Sequence, residues 1–297
     1  MTREKTAIFL SIREKATRLP KKVLLPIKGK TVTEHLIERL KTAKRTGQLI
    51  MTTSVHPDDQ ALADIAQKCQ IPCFRGSEDD KLDRYLKAAQ AYSVDFIVIV
   101  DGDDLLCDPV YIDRVIQKHQ KTGADFVYCQ GLPLGAASSG FTRKALERVC
   151  QIKRESDTEV WGGYFTKTGL FHVECVEAEE PLLRRPDIRM TLDYAEDYQF
   201  FQKIFDALYV PGRVFSLKEV MSLLARKPEI IRINQGVQKL YEENLARHTK
   251  ISYEIPLTLP SPARGEGKHN EIKKDVPSPL RGEGKGGGDL GDFFTAS

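Results

Sequence analysis

No stretch of this 297-residue chain approaches the ~20 consecutive apolar residues that span a bilayer. The first apolar run, Ala7-Ile8-Phe9-Leu10-Ser11-Ile12, meets charged Arg13, Glu14 and Lys15 at once. It is too short for the core of a secretory signal, so a cytoplasmic protein with no membrane partner is expected. An excess of either charge is also missing. Lys and Arg number 45 against 42 Asp and Glu, a net charge of +3. No basic block stands out to clamp a phosphate backbone, so no nucleic-acid partner is expected. The six cysteines, at 69, 73, 107, 129, 150 and 175, are scattered. Pro72 stands between Cys69 and Cys73, and no paired Cys or His completes a zinc site. Reduced, mostly buried thiols are expected, and none of the six histidines sits in a pattern that suggests catalysis.

What is present is an alternation of two periods. Ala7–Ile12 is a compact β-type run. The stretch from Val32 to Lys44 carries Leu36, Ile37, Leu40 and Ala43 on one helical stripe. Leu49–Thr53 reads as a strand, and His56-Pro57-Asp58-Asp59 as a helix start. Cys73–Arg75 is a short strand, and Asp79–Tyr92 a helix. Phe96-Ile97-Val98-Ile99-Val100, mostly β-branched and stopped by Asp101-Gly102-Asp103-Asp104, is the clearest strand. A helix over Pro109–Lys121 and a strand over Asp125–Cys129 come next. Strands alternating with helices imply an α/β fold with a doubly wound, mostly parallel sheet. Ligands in such sheets lie beyond the carboxyl ends of strands. Two polar clusters fall there, Arg13–Lys22 and Asp101–Asp104, and they are expected to share a ligand.

One domain is expected over residues 1–250. After about Tyr253 the composition changes, and Pro260-Ser261-Pro262-Ala263-Arg264-Gly265-Glu266-Gly267-Lys268 returns as Pro277-Ser278-Pro279-Leu280-Arg281-Gly282-Glu283-Gly284-Lys285. Such a Pro/Gly/Ser-rich stretch buries too little apolar surface to offset the entropy of ordering. Residues 251–297 are therefore expected to be a disordered tail.

The loop Arg13-Glu14-Lys15-Ala16-Thr17-Arg18-Leu19-Pro20-Lys21-Lys22-Val23-Leu24 comes after a buried strand and carries two arginines and three lysines. Arginine forks match phosphate oxygens, lysine adds a compact charge, and backbone amides add anion contacts. A solvated basic face fits the loop equally. Carboxylates at the end of the Phe96 strand suit Mg²⁺, which takes few protein oxygens and keeps phosphates and waters as its other ligands. They also suit plain turn caps. Gly131-Leu132-Pro133-Leu134-Gly135 and the segment Thr158–Phe165, with the single Trp161, could touch an acceptor or be a turn and a buried aromatic cluster.

Arg18-Leu19-Pro20-x-Lys22-x-Leu24, preceded by Arg13, resembles the nucleotide-binding signature of cytidylyltransferases that make CMP-activated sugars, including CMP-Kdo synthetase and the spore coat polysaccharide family. The resemblance continues through Gly29–Leu40, through Gly76-Ser77-Glu78-Asp79-Asp80-Lys81-Leu82-Asp83-Arg84-Tyr85, and through Glu177–Pro186 and Thr191–Asp197. It implies a nucleotidyltransferase that moves CMP from CTP to an acidic sugar with release of pyrophosphate, for surface or coat polysaccharide, and it leaves room for pairing as a homodimer. It implies that Arg13, Arg18, Lys22 and Ser77 bind the nucleotide, and that Asp103 and Asp193 hold Mg²⁺. Arg13, Lys22, Asp103 and Asp193 then form the catalytic set. Glu196 and Asp197 are expected only as first-turn carboxylates favoured by the helix dipole. The chain departs from that family at Lys15, Ala16 and Lys21, where the family has Gly, Ser and Gly. Lys22 is expected to be exposed. Asp103 and Asp193, if they share one ion, must repel each other when it is absent.

Two other readings use the same residues. A glycosyltransferase with a nucleotide-sugar donor would hold a divalent ion on Asp101-x-Asp103, but has no free triphosphate for the basic loop to clamp. A non-catalytic nucleotide- or sugar-binding protein would need only the loop.

Overall fold

The computed structural model describes residues 4–15, 18–158, 160–248 and 251–255. In chain order the elements are β1 (Thr6–Ser11), β2 (Pro26–Ile27), β3 (Lys30–Thr31), α1 (Val32–Leu40), β4 (Gln48–Ser54), α2 (Gln60–Lys68), β5 (Cys73–Gly76), α3 (Lys81–Tyr92), β6 (Phe96–Asp101) and α4 (Pro109–Thr122). They continue with β7 (Phe126–Gln130), β8 (Ser139–Thr142), α5 (Arg143–Ile152), α6 (Gly163–Thr166), β9 (Val173–Glu177), α7 (Ala195–Leu208), α8 (Leu217–Arg226), α9 (Arg232–Gln235) and α10 (Gln238–His248).

Seven strands form one sheet in the order β5-β4-β1-β6-β8-β7-β9. Neighbours run parallel except at β8, which is antiparallel to both β6 and β7. The sheet is mostly parallel and covered on both faces, as the alternation of strands and helices implies. Strand periodicity divides the apolar residues between two cores. From β1 and β6, Ile8, Leu10, Phe96, Val98 and Val100 face the core shared with α1, α2, α4, α7 and α8. Ala7, Phe9, Ile97 and Ile99 face the other core, with α3, α5 and the aromatic side chains Trp161, Tyr164 and Phe165. Trp161 is fully buried there, edge-on to Phe126 and Phe141, so it is a core residue.

Two differences from the sequence reading matter. The helical stripe that begins at Val32 stops at Leu40 rather than Lys44. The antiparallel strand β8 was not anticipated. Ser139-Gly140-Phe141-Thr142 is too short and too mixed to show a period. It fits the sheet because the Phe96 ring and Val115 occupy the space a side chain at Gly140 would need.

The expected end of the domain at residue 250 also moves. Tyr253 bridges to Lys153, the Arg154 amide donates to the Ser252 carbonyl at 3.1 Å, and the Glu254 amide donates to the Ile152 carbonyl at 2.9 Å. Ile251 packs on the core beneath α5 and α6. The folded unit therefore includes residues 251–255, and the duplicated Pro-Ser-Pro segment lies outside the described residues. No helix among the described residues is long and apolar enough to cross a membrane.

Candidate active site

β1 and β6 lie side by side and in register, with Ser11 opposite Asp101. The Gly102 amide then donates to the Ser11 carbonyl at 2.8 Å. The two loops that leave these strands start in contact, at the carboxyl edge of the sheet. Gly102 is required there, because a Cβ would collide with the Ile12 side chain. The basic loop thus opens directly over Asp101–Asp104.

Lys22 begins a short 3-10 turn, Lys22–Leu24, and Lys21 before it takes a left-handed backbone with φ 57°. This turn sends the Lys22 stem inward. Its ammonium donates to Asp103 Oδ2 at 2.7 Å and to Asp193 Oδ1 at 3.0 Å. Lys22 is therefore buried, not exposed as the loop composition suggested. Arg18 comes from the same loop and donates through Nη2 to Asp193 Oδ1 at 2.8 Å. Its guanidinium lies 5.1 Å from the centre of the Tyr194 ring, a cation–π distance.

Asp193 reaches this place on an extended segment laid along the sheet's end. The Met190 amide donates to the Leu134 carbonyl at 2.7 Å, and the Leu192 amide to the Asp103 carbonyl at 3.0 Å. Gly135, with φ +86°, belongs to that contact, since a side chain there would meet the Met190 backbone. The two glycines of Gly131–Gly135 both adopt positive φ. They make a turn and a close backbone crossing.

The site's charges are unevenly shared. Burial alone would raise the pKa of Asp193, but Lys22, Arg18 and Arg189 outweigh it and hold it below the usual carboxylate range. Asp103 has its hydrogen-bonded cation in Lys22, but burial, with the nearby Asp193 and Asp101, outweighs it and raises its pKa. Burial likewise raises Asp104 well above its ordinary value, helped by Asp103 and Asp101. Lys22 resists its own burial because Asp103 and Asp193 hold its ammonium protonated, with its pKa above the ordinary lysine value. The repulsion expected between the two carboxylates is thus met by a lysine of the same chain.

Of the residues singled out in the sequence, Arg18, Lys22, Asp103 and Asp193 meet at one point. Arg13 and Ser77 make side-chain bonds to the turn before α3 instead. Arg13 donates to the Glu78 carbonyl, and the Ser77 hydroxyl accepts the Asp80 amide at 3.1 Å, a turn just before α3. Lys15 pairs with Glu78 at 2.9 Å, while Ala16 and Thr17 lie outside the described residues. Two participants were missed. Arg189 donates to Asp193 Oδ2 at 2.7 Å; residues 189–193 are not helical, so a spacing of four residues gave no signal of contact. Lys81 is buried with its ammonium 3.6 Å from Asp101 Oδ1, and burial lowers its pKa. A lone lysine in a helix start gives no sequence cue to that placement.

The donor set suits a hard cation. Asp103 and Asp193 converge, and Asp103 Oδ1 is buried with no hydrogen-bond partner, an arrangement that normally needs explaining. Among the described residues no group of three His, Cys, Asp or Glu side chains gathers to hold a metal. An ion such as Mg²⁺ takes one or two carboxylates and fills its remaining positions with water and phosphate.

A mostly parallel sheet thus carries a basic loop and a pair of carboxylates at one edge. A cytidylyltransferase family model matches residues 7–159. An uncharacterized protein of Methanocaldococcus jannaschii is 32% identical over 241 residues, covering 79% of this chain and 97% of that one. The spore coat polysaccharide biosynthesis protein SpsF of Bacillus subtilis is 30% identical over 228 residues, 74% of this chain and 94% of that one. Among solved structures, a cytidylyltransferase from Leptospira borgpetersenii serovar Hardjo-bovis superposes with a TM-score of 0.70 at 27% identity, covering 77% of this chain and 97% of that chain. The chain belongs to the cytidylyltransferase family of enzymes.

Proposed function

We propose that the enzyme transfers CMP from CTP to a hydroxyl of a sugar and releases pyrophosphate, in the biosynthesis of a surface or coat polysaccharide. The observation that carries this reading is the Lys22 ammonium held between Asp103 and Asp193, with Arg18 on the same carboxylate. It joins a buried ammonium, a guanidinium and a pair of carboxylates at one point, as transfer of a charged phosphoryl group requires. The relationship to a spore coat polysaccharide protein supports the pathway class.

In the reaction, the acceptor oxygen forms a bond to the α-phosphorus of CTP as the bond to the β-phosphate bridging oxygen breaks. Pyrophosphate leaves, and the acceptor gives up its proton. Such transfers depend mainly on positioning and charge neutralisation. Asp103 and Asp193 would hold Mg²⁺, which would supply charge neutralisation and orientation at the phosphate oxygens. Arg18 and Lys22 bring positive charge to the triphosphate, and Arg13 brings it from the Glu78 side. Lys22 holds its ammonium between the two carboxylates, where a bound cation would share their charge and leave the ammonium to neutralise phosphate. Lys15 and Lys21 expose further positive charge on the same loop, which suits an acidic sugar as well as the triphosphate. A glycosyltransferase reading gains no support, since Asp101 faces Lys81 and Asp193 takes the place beside Asp103.

The test is a screen of nucleoside triphosphates against neutral and acidic sugars, scored by pyrophosphate release and by mass of the product. Pyrophosphate formed with CTP, in step with a CMP-sugar, is expected. Turnover of a nucleotide-sugar donor with no triphosphate consumed would overturn the reading.

A further inference from the structure

We infer that Arg189, Asp197 and Asn234 are positioning residues, which hold the Asp193 carboxylate with one oxygen turned to the site and make the C-terminal helices part of it. The inference rests on the reading of Asp193 as a ligand-binding carboxylate. Asp193 divides its two oxygens between opposite partners. Oδ1 faces the basic loop, at 2.8 Å from Arg18 and 3.0 Å from Lys22. Oδ2 is taken by Arg189 Nη2 at 2.7 Å.

Arg189 cannot swing away from that duty. Its Nε donates to Asp197 Oδ1 at 2.9 Å and its Nη2 to Asp197 Oδ2 at 3.1 Å, a two-point pairing that fixes the plane of the guanidinium. Its face lies 4.4 Å from the centre of the Tyr241 ring, on α10. Asp197 in turn fixes the main chain of the ligand itself. Its Oδ2 accepts the amides of Asp193 at 2.9 Å and Tyr194 at 3.0 Å. Asn234, on α9, completes the set by donating to Asp197 Oδ1 at 2.9 Å and to the Arg189 carbonyl at 3.2 Å. Arg189, Asp193, Asp197 and Asn234 are each 3% exposed or less.

A first-turn carboxylate that only served the helix dipole would sit in solvent, as Glu196 does. Asp197 is fully buried instead, so its charge is costly unless every lone pair is used. The network uses them to set both the backbone and one side-chain oxygen of Asp193. All of it lies beyond residue 159, where the matched family segment ends. Supporting groups of this kind commonly change metal affinity by about 10–100-fold when removed.

The experiment is titration of the full chain with Mn²⁺ in the presence of CTP, read by electron paramagnetic resonance, alongside CTP binding by calorimetry without metal. Asn234→Ala and Arg189→Lys are compared with wild type and with Asp193→Asn, well below each variant's melting temperature. Asn234→Ala is expected to weaken Mn²⁺ binding about tenfold while metal-free CTP affinity stays within twofold. Asn234→Asp, which keeps an acceptor but loses the donor to Asp197, should not restore it. Should Asn234→Ala not fold, Arg189→Lys carries the same expectation, because an ammonium lacks the planar fork that pairs at two points with Asp197 while also donating to Asp193. Unchanged Mn²⁺ affinity in the variant that folds, with Asp193→Asn impaired, overturns the inference alone. Unchanged Mn²⁺ affinity in Asp193→Asn overturns the reading of the site, and the inference with it.

Discussion

The backbone amide of Leu192 donates to the carbonyl of Asp103 at 3.0 Å. This bond ties the segment that carries Asp193 to the strand end that carries Asp103, before any side chain is considered. Their convergence is therefore a property of the main chain. Lys22 closes the arrangement by donating to both carboxylates. The sites most exposed to test are those where this arrangement makes two similar residues behave differently.

Asp103→Asn and Asp193→Asn are expected to differ sharply in stability. Asp193 compensates three cations, and removing one partner of a buried ion pair costs about 3–5 kcal/mol. Asp103 is disfavoured as a charge by burial and by its acidic neighbours. Its lost bond to Lys22, worth ~1.5–3 kcal/mol, is offset by that relief, so Asp103→Asn should stay within about 1 kcal/mol of wild type. Urea unfolding of both variants without divalent ions measures the contrast. Equal losses would show that the charge is shared evenly.

Much of this site was legible in the sequence, for reasons that differ by residue. Phe96–Asp101 announced itself through β-branched residues stopped by acidic ones, so a carboxylate at a strand end could be placed. Lys22 and Arg18 stood in a loop that had to come after a buried strand. Asp193 was found only because its surrounding block falls in order with the others, since Leu192-Asp193-Tyr194 by itself reads as a helix start. The residues that support Asp193 from behind were hidden. Asn234 reaches Asp197 from 37 residues further along the chain, and no local period marks a contact of that range. Ser77 and Arg13 share a motif with the site but meet each other's neighbourhood, because chain order does not fix which side of a loop faces inward. The tail boundary was misplaced for a similar reason: Ile251 and Tyr253 look like linker until α5 and α6 are there to receive them.

Truncation separates that docked segment from the repeats beyond it. A chain ending at Lys250 should lose about 1–3 kcal/mol, because Ile251 leaves the core and the pairing with Lys153 and Arg154 disappears. A chain ending at Ile255 should melt with the full-length protein, since the Pro-Ser-Pro repeats have little apolar surface to bury. Differential scanning calorimetry of the three chains decides it; equal melting of the two truncations would mean that the 251–255 contacts contribute nothing.

Lys21→Gly should stabilise the protein. Lys21 holds φ 57°, where a side chain costs roughly 1–2 kcal/mol. Part of that gain is lost because glycine frees the unfolded chain, leaving about 0.5–1 kcal/mol. Its ammonium, 3.7 Å from Glu14 and 74% exposed, contributes little by comparison. A fall in melting temperature would mean that the turn before Lys22 depends on the lysine side chain rather than on backbone conformation.

Turnover of Asp103→Asn tests the central claim most directly, because this variant should remain folded. Pyrophosphate release is measured with saturating CTP, Mg²⁺ and the best acceptor from the screen, for wild type and variant side by side. Loss of a group that stabilises the transition state typically lowers kcat by about 10²–10³-fold, and a fall of that size, with the melting curve unchanged, is the expected result. Asp103→Asn releasing pyrophosphate at the wild-type rate would contradict the assignment of the Asp103–Asp193 pair as the centre of nucleotidyl transfer.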